Sequence, residues 1–180
     1  MIVLNNLGAA LFDAMDWEGA EMAWQVSLEL DPTPMAYRNM GTVLYYQGRY
    51  EEAAAMHEKA IELAPEDHWL WGKLAATYLE MDGQEEDSRA AYQKAIALAL
   101  ERLQIEPNDS PTMAYLAAYF ANVGEHENAR EFAATAKQLE PENPEVWYFS
   151  ALVNVHSQQH SQAVEDLAKA VELGYSTRLL

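Results

Sequence analysis

Small residues recur along this chain of 180 residues at a spacing that leaves few folds open. Gly8, Gly41, Ala75, Ala117 and Ala151 follow one another at steps of 33, 34, 42 and 34 residues. The prolines Pro32, Pro65, Pro107 and Pro141 step by 33, 42 and 34. Two landmarks of unrelated chemistry therefore agree on five copies of one segment. In the second copy, Tyr37, Met40, Gly41 and Leu44 make one helical stripe, Gly48 interrupts it, and Ala53, Ala60 and Ile61 make another before Pro65. Each copy is predicted to be a helix, a short turn and a helix. The second helices carry small residues at Ala20, Ala53, Ser88, Ala129 and Ala163, and again at Ser27, Ala60, Ala95, Ala136 and Ala170. Paired helices cross closely at such positions, and a larger side chain there would overpack the contact at a cost of about 1–3 kcal/mol. The larger slots hold Leu4, Tyr37, Trp71, Met113 and Trp147, an apolar stripe expected in the core rather than around a cofactor.

The punctuation between copies has its own mechanism. Thr33-Pro34, Ser110-Pro111 and Asn143-Pro144 each place an oxygen-bearing cap before a proline at the first helical position, and Asp67 can cap the third copy. Gly48, Gly83 and Gly124 stand between the two helices of their copies; Met15 and Gln158 hold that slot in the outer ones. The third copy exceeds the period by eight residues. One enters its turn, and seven, about two helical turns, lengthen its second helix while keeping the same face inward. Ile96, Leu100 and Leu103 continue an apolar stripe there, suited either to packing against the next copy or to a projecting ledge for a partner. Leu173-Gly174 supplies the last helix stop, with Tyr175 where earlier copies have proline.

A large residue at Tyr37, Met40 followed by Gly41, Leu44, then Ala53-x3-His57, Ala60 and Pro65 resembles the tetratricopeptide repeat. His57 departs from the pattern, filling a slot where that family usually has an aromatic residue. The resemblance covers nearly the whole chain and implies an all-α, right-handed superhelical solenoid of antiparallel helix pairs, about ten helices in all. The expected organisation is one domain over 1–180, with repeats at about 1–33, 34–66, 67–108, 109–142 and 143–176. It further implies that the first helices line a concave face. By helical phase that face should present Asn5, Asn6, Phe12 and Asp13; Arg38, Asn39, Thr42, Tyr45 and Tyr46; Trp69, Lys73, Leu79 and Glu80; Tyr115 and Asn122; and Tyr148, Phe149, Val155 and His156. Rings with amides, an arginine and a histidine among them suit an extended peptide or a helix of a protein partner. Phe12, Tyr46, Trp69, Tyr115 and Tyr148 would bury ligand side chains, and Arg38, Asn39 and Asn122 would fix backbone or register. Members that bind chaperone tails use a carboxylate clamp of two Lys, two Asn and one Arg. Here those slots hold Asn5, Ala9, Asn39, Ala76 and Glu80, of which only Asn39 matches, so that clamp is not expected.

Eleven basic against 29 acidic residues give a net charge of −18, which repels nucleic acid and anionic membranes. The charge suits a basic partner or a merely solvated surface; most acidic residues fall on second helices and turns, as at Glu51, Glu52, Glu85, Glu86, Asp87 and Glu127. At helix N-termini such carboxylates complement the dipole without catalytic purpose. No run is long enough for a transmembrane helix, and a cytoplasmic location is expected. Cysteine is absent, and His156 and His160, though four apart, straddle an expected turn, so no metal or other cofactor is expected. Neither a nucleophile elbow nor a phosphate loop is present, and the chain is not expected to be an enzyme. Two alternatives remain. Ile2, Val3, Val164, Leu167 and Val171 could leave apolar ends through which copies assemble into homo-oligomers. The ending KAVELGYSTRLL is similar to the close of tetratricopeptide regions in bacterial signalling proteins, which implies a regulatory arm of a larger protein.

Overall fold

The computed structural model describes residues 2–176, and of Ile2 only the backbone. Expectations placed on the Ile2 side chain and on residues 177–180 lie outside the described residues. Among the described residues the fold is all-α: α1 (Ile2–Asp13), α2 (Trp17–Leu30), α3 (Pro34–Tyr46), α4 (Tyr50–Leu63), α5 (His68–Leu79), α6 (Glu85–Ile105), α7 (Ser110–Asn122), α8 (His126–Leu139), α9 (Pro144–His156) and α10 (His160–Glu172). Consecutive helices pair as hairpins, α1 with α2, α3 with α4, α7 with α8 and α9 with α10. Contacts cluster into two compact units, Met1–Ala91 and Tyr92–Leu180, whose boundary falls inside α6. In the first unit α1 packs on α2, α2 on α3, α3 on α4 and α4 on α5; in the second α7, α8, α9 and α10 follow the same rule.

The fifteen small positions named from the sequence are all buried. Their purpose is visible at Gly41, where a Cβ would stand 2.5 Å from His57 Cε1 and 2.7 Å from its Nδ1. At Gly8 the missing side chain makes room for the Trp24 indole in the same way. A glycine on a first helix thus receives the ring four residues beyond the small residue of the second. Gly41→Ala is expected to lower the unfolding free energy of the first unit by about 1–3 kcal/mol, measured as the shift of its urea midpoint, because the buried imidazole has nowhere to retreat. The large slots obey a rule of their own. Trp71 Nε1 donates to Pro65 O at 2.9 Å and Trp147 Nε1 to Pro141 O at 2.8 Å, each ring closing over the proline turn before its helix.

Caps form largely as expected. Thr33 Oγ1 accepts from Ala36 N (3.2 Å), Asp67 Oδ1 from Trp69 N (2.9 Å) and Asn143 Oδ1 from Glu145 N (3.0 Å). Ser110 does not cap α7. Asp109 does, accepting from Thr112 N at 3.1 Å. Although burial works against its charge, the Thr112 amide and hydroxyl and the Arg102 guanidinium hold the Asp109 carboxyl below its usual range. A charged acceptor outcompetes the neighbouring hydroxyl, and Ser110 Oγ instead donates to Ala136 O inside the core (3.2 Å). Gly48, Gly83 and Gly124 take the left-handed conformation expected of them (φ 75°, 77° and 87°), and Met15 and Gln158 are held in it too (62° and 57°). A left-handed turn at Gln158 separates His156 at the end of α9 from His160 at the start of α10, so the two do not share a helix face.

The lengthened α6 packs inward on the following repeat. Ile96 and Leu103 join the core of Ala99, Leu116, Ala117 and Phe120. Leu100 and Ile105 stay outside it, 37% and 82% exposed.

Candidate functional site

In the first unit, side chains from α1, α3 and α5 surround a cleft of about 350 Å³. Among the residues expected on the concave face, Asn5, Phe12, Arg38, Asn39, Thr42, Trp69 and Lys73 line it. Helical phase explains the convergence. Asn5 and Phe12 are seven apart on α1, Arg38, Asn39 and Thr42 stand within four residues on α3, and Trp69 and Lys73 are four apart on α5. Asn6 and Asp13, expected on the same face, also line the cleft. Met35, Ala9 and Trp24 complete the lining and were not among the expected binding residues. Met35 is one turn before Asn39 and half exposed, a spacing that would have identified it.

Trp69 is the centre of the charged wall. The Arg38 guanidinium carbon lies 4.7 Å and the Lys73 ammonium 4.8 Å from its ring centroid, two cations over one π-system. Asn39 Oδ1 accepts from Arg38 Nε and from a terminal guanidinium nitrogen, both at 3.3 Å. Asn39 therefore orients the arginine as well as facing the cleft. Thr42 Oγ1 donates to Arg38 O (3.0 Å), a bond within its own helix. Asn5 Oδ1 and Trp24 Nε1 are buried without a hydrogen-bond partner among the described residues. Behind this wall His57 is 1% exposed, its Nδ1 likewise unpaired. Burial first, then the nearby Lys73 and Arg38, push its imidazole down to about 3.

Tyr45 and Tyr46 do not line the cleft. Tyr46 packs its ring edge-on against Phe12 at 5.2 Å and lies 6.1 Å from Trp17. Tyr45 crosses to the residue that caps the end of α5, its hydroxyl donating to Glu80 Oε1 at 3.4 Å; burial first and Glu80 next raise that hydroxyl to about 12.

In the second unit, Tyr115, Phe149 and Tyr148 come together in one run of rings. Tyr115 meets Phe149 at 4.7 Å, Phe149 meets Tyr148 at 5.6 Å, and Tyr148 stacks on Tyr175 at 4.3 Å with 12° between planes. The Tyr115 hydroxyl donates to Glu145 Oε1 at 2.9 Å. Tyr119, buried, extends the run from Tyr115 towards Tyr92; its place one turn after Tyr115 was the available signal. Asn122 Nδ2 donates to Ala118 O in its own helix (2.9 Å). His156 lies close enough to His126 that burial first and that imidazole second lower its pKa. All five rings expected to contact ligand, Phe12, Tyr46, Trp69, Tyr115 and Tyr148, are half-buried, so each keeps an exposed part.

Comparison with known proteins gives a consistent result. The family model described as Tetratricopeptide repeat matches residues 1–66 and again 32–101. A curated relative, TPR repeat-containing thioredoxin TTL4 of Arabidopsis thaliana, is 31% identical over 101 residues; the match takes in 56% of this chain and only 14% of the relative's length. The crystal structure of TTC0263, a thermophilic TPR protein of Thermus thermophilus, is similar with a TM-score of 0.73, 18% identity, and coverage of 97% of this chain and 91% of that one. MamA of Desulfovibrio magneticus RS-1 is similar with a TM-score of 0.55 and 20% identity over 98% of this chain and 96% of the other. No helix among the described residues is long and apolar enough to cross a membrane.

Proposed function

Because the chain belongs to the tetratricopeptide repeat family, whose fold serves as a scaffold for protein–protein interaction, we propose that its first unit binds a peptide or helical segment of a protein partner in the cleft centred on Trp69. The observation that carries this reading is the meeting of Asn5, Phe12, Arg38, Asn39, Thr42, Trp69 and Lys73 around one concavity. Rings there offer contact area at low entropic cost, and amides match the donors and acceptors of a peptide main chain. The ring run of Tyr115, Phe149 and Tyr148 offers the second unit a comparable surface.

Affinity capture from extract of the source cell tests the reading, comparing the native chain with a Trp69→Ala variant of unchanged helicity. An aromatic anchor at the centre of a binding patch is worth about 2 kcal/mol or more, so partners should be retained about thirtyfold less well by the variant. Equal capture by both proteins removes the cleft from the interaction.

Self-assembly is a second reading, favoured by exposed apolar side chains on α1, α2 and α10: Val3 (77%), Met22 (71%), Leu30 (66%) and Val164 (67%). Leu167 is half-buried and Val171 40% exposed. Light scattering across a dilution series decides it, since a constant monomer mass excludes assembly through these ends.

A further inference from the structure

Three positions on each first helix, five residues and one residue before its small residue and two residues after it, are buried in α3, α5, α7 and α9. On α5 they hold Leu70, Leu74 and Thr77, and the two leucines share a core with Ala54, Ala60 and Ile61 of the preceding α4. On α1 the same positions hold Val3, Leu7 and Ala10, and all three are exposed. Their spacing of four and then three residues makes one helical stripe, in a stretch from Val3 to Phe12 that contains no charged side chain.

α10 carries the complementary face. Eight residues past the small residue of their helices, Leu28, Ile61 and Ile96 each join a core that includes residues of the following first helix. Val171 holds that position on α10 and is exposed. Val164, seven residues before it, stands where Ala54 enters the core shared by α4 and α5, and it is exposed as well. With the half-buried Leu167 between them the stripe is aliphatic throughout. Among the described residues α10 packs substantially on α9 alone.

Resting on the self-assembly reading above, we propose that the occupant of the α10 face is α1 of a second copy of this chain, Val3 and Leu7 packing over Val164, Leu167 and Val171 as Leu70 and Leu74 pack over Ala54 and Ile61. The contact continues the interface between repeats from one copy into the next. Because it joins two different surfaces it is heterologous, and copies add head to tail into a ring or a filament instead of stopping at a symmetric dimer. An α1–α1 or α10–α10 contact has no precedent among the repeats. The attraction is apolar while a net charge of −18 holds the copies apart, so salt should strengthen the association.

Analytical ultracentrifugation of the native chain and of Val3→Glu and Val164→Glu variants, alone and mixed, tests the pairing. Both substitutions fall at exposed positions and should leave helicity unchanged. The native chain should form species beyond the dimer as its concentration rises. Each variant alone should associate about a hundredfold more weakly, because the contact would bury an unpaired carboxylate. Mixed in equal amounts, the two variants should form a one-to-one dimer and nothing larger, since Val3→Glu keeps an intact α10 face and Val164→Glu an intact α1 face. Assembly of either variant at native strength, or a mixture that recovers no dimer, would overturn the pairing of α1 with α10 and leave self-assembly through another surface standing. A native chain that stays monomeric at every concentration and at high salt would overturn both.

Discussion

Asp166→Ala is expected to destabilise the second unit by about 3–5 kcal/mol, enough to unfold its last hairpin under mild denaturant. Asp166 on α10 is 7% exposed. Its carboxylate accepts from Ser150 Oγ (2.5 Å) and Asn154 Nδ2 (2.9 Å) on α9 and from Lys137 Nζ (3.0 and 3.2 Å) on α8. Removing it leaves three donors on two other helices facing a void, among them a largely buried ammonium that also rests 4.9 Å from the Trp147 centroid. The desolvation of those donors is then uncompensated, and that penalty rather than the lost attraction dominates. Asp166→Leu combined with Lys137→Met should recover much of the loss, since an apolar replacement of both partners removes the penalty with the pair. Hydrogen exchange of the α8, α9 and α10 amides reads the effect locally, and a loss below about 1 kcal/mol for the single variant would show the network to be solvated.

The second large effect concerns acid. A buried imidazole lowered to about 3, against 6.5 in the unfolded chain, stays neutral where the unfolded state takes up a proton. Its contribution is fully present above pH 6.5 and is lost progressively as pH falls from 6.5 towards 3. At pH 5 the first unit should therefore be about 2 kcal/mol less stable than at pH 7.5, before the carboxylates titrate appreciably. His57→Phe should abolish that slope, and should also raise stability at neutral pH by about 1 kcal/mol because the unpaired Nδ1 disappears from the core. Urea midpoints at the two pH values for both proteins provide the measurement. An unchanged slope in the variant would mean that another group senses the acid.

Those two residues also mark what a sequence can and cannot disclose here. The hairpins were legible because their signals are local and repeated. A small residue every 33 or 34 positions, an oxygen before proline and a glycine between helices each act within a turn or two of the chain. Much of the cleft was legible too, since helical phase from Gly8, Gly41 and Ala75 selects Asn5, Arg38, Asn39 and Trp69 without knowledge of their neighbours. Ser110 lost its capping role to a residue one place earlier because Arg102, seven residues before Asp109, reinforces it. The Asp166 network was not legible. Its parts are contributed by three helices at separations of 12, 16 and 29 residues, and nothing in the spacing of Lys137, Ser150 and Asn154 singles out one aspartate among many acids. Nor could phase alone say that Tyr45 would reach across to Glu80 and leave the cleft to Trp69.

Among the described residues, the helices that pack substantially on one another within each unit are neighbours in sequence or next but one. No tertiary contact of that kind demands the closing of a long loop, so the entropy spent before the first stabilising contacts form is small at every hairpin. Folding is then expected to start from several places, with no single hairpin an obligatory nucleus. A lesion such as Asp166→Ala should then act mainly on the rate at which its own end opens, leaving the rate at which the rest of that unit assembles nearly as it was.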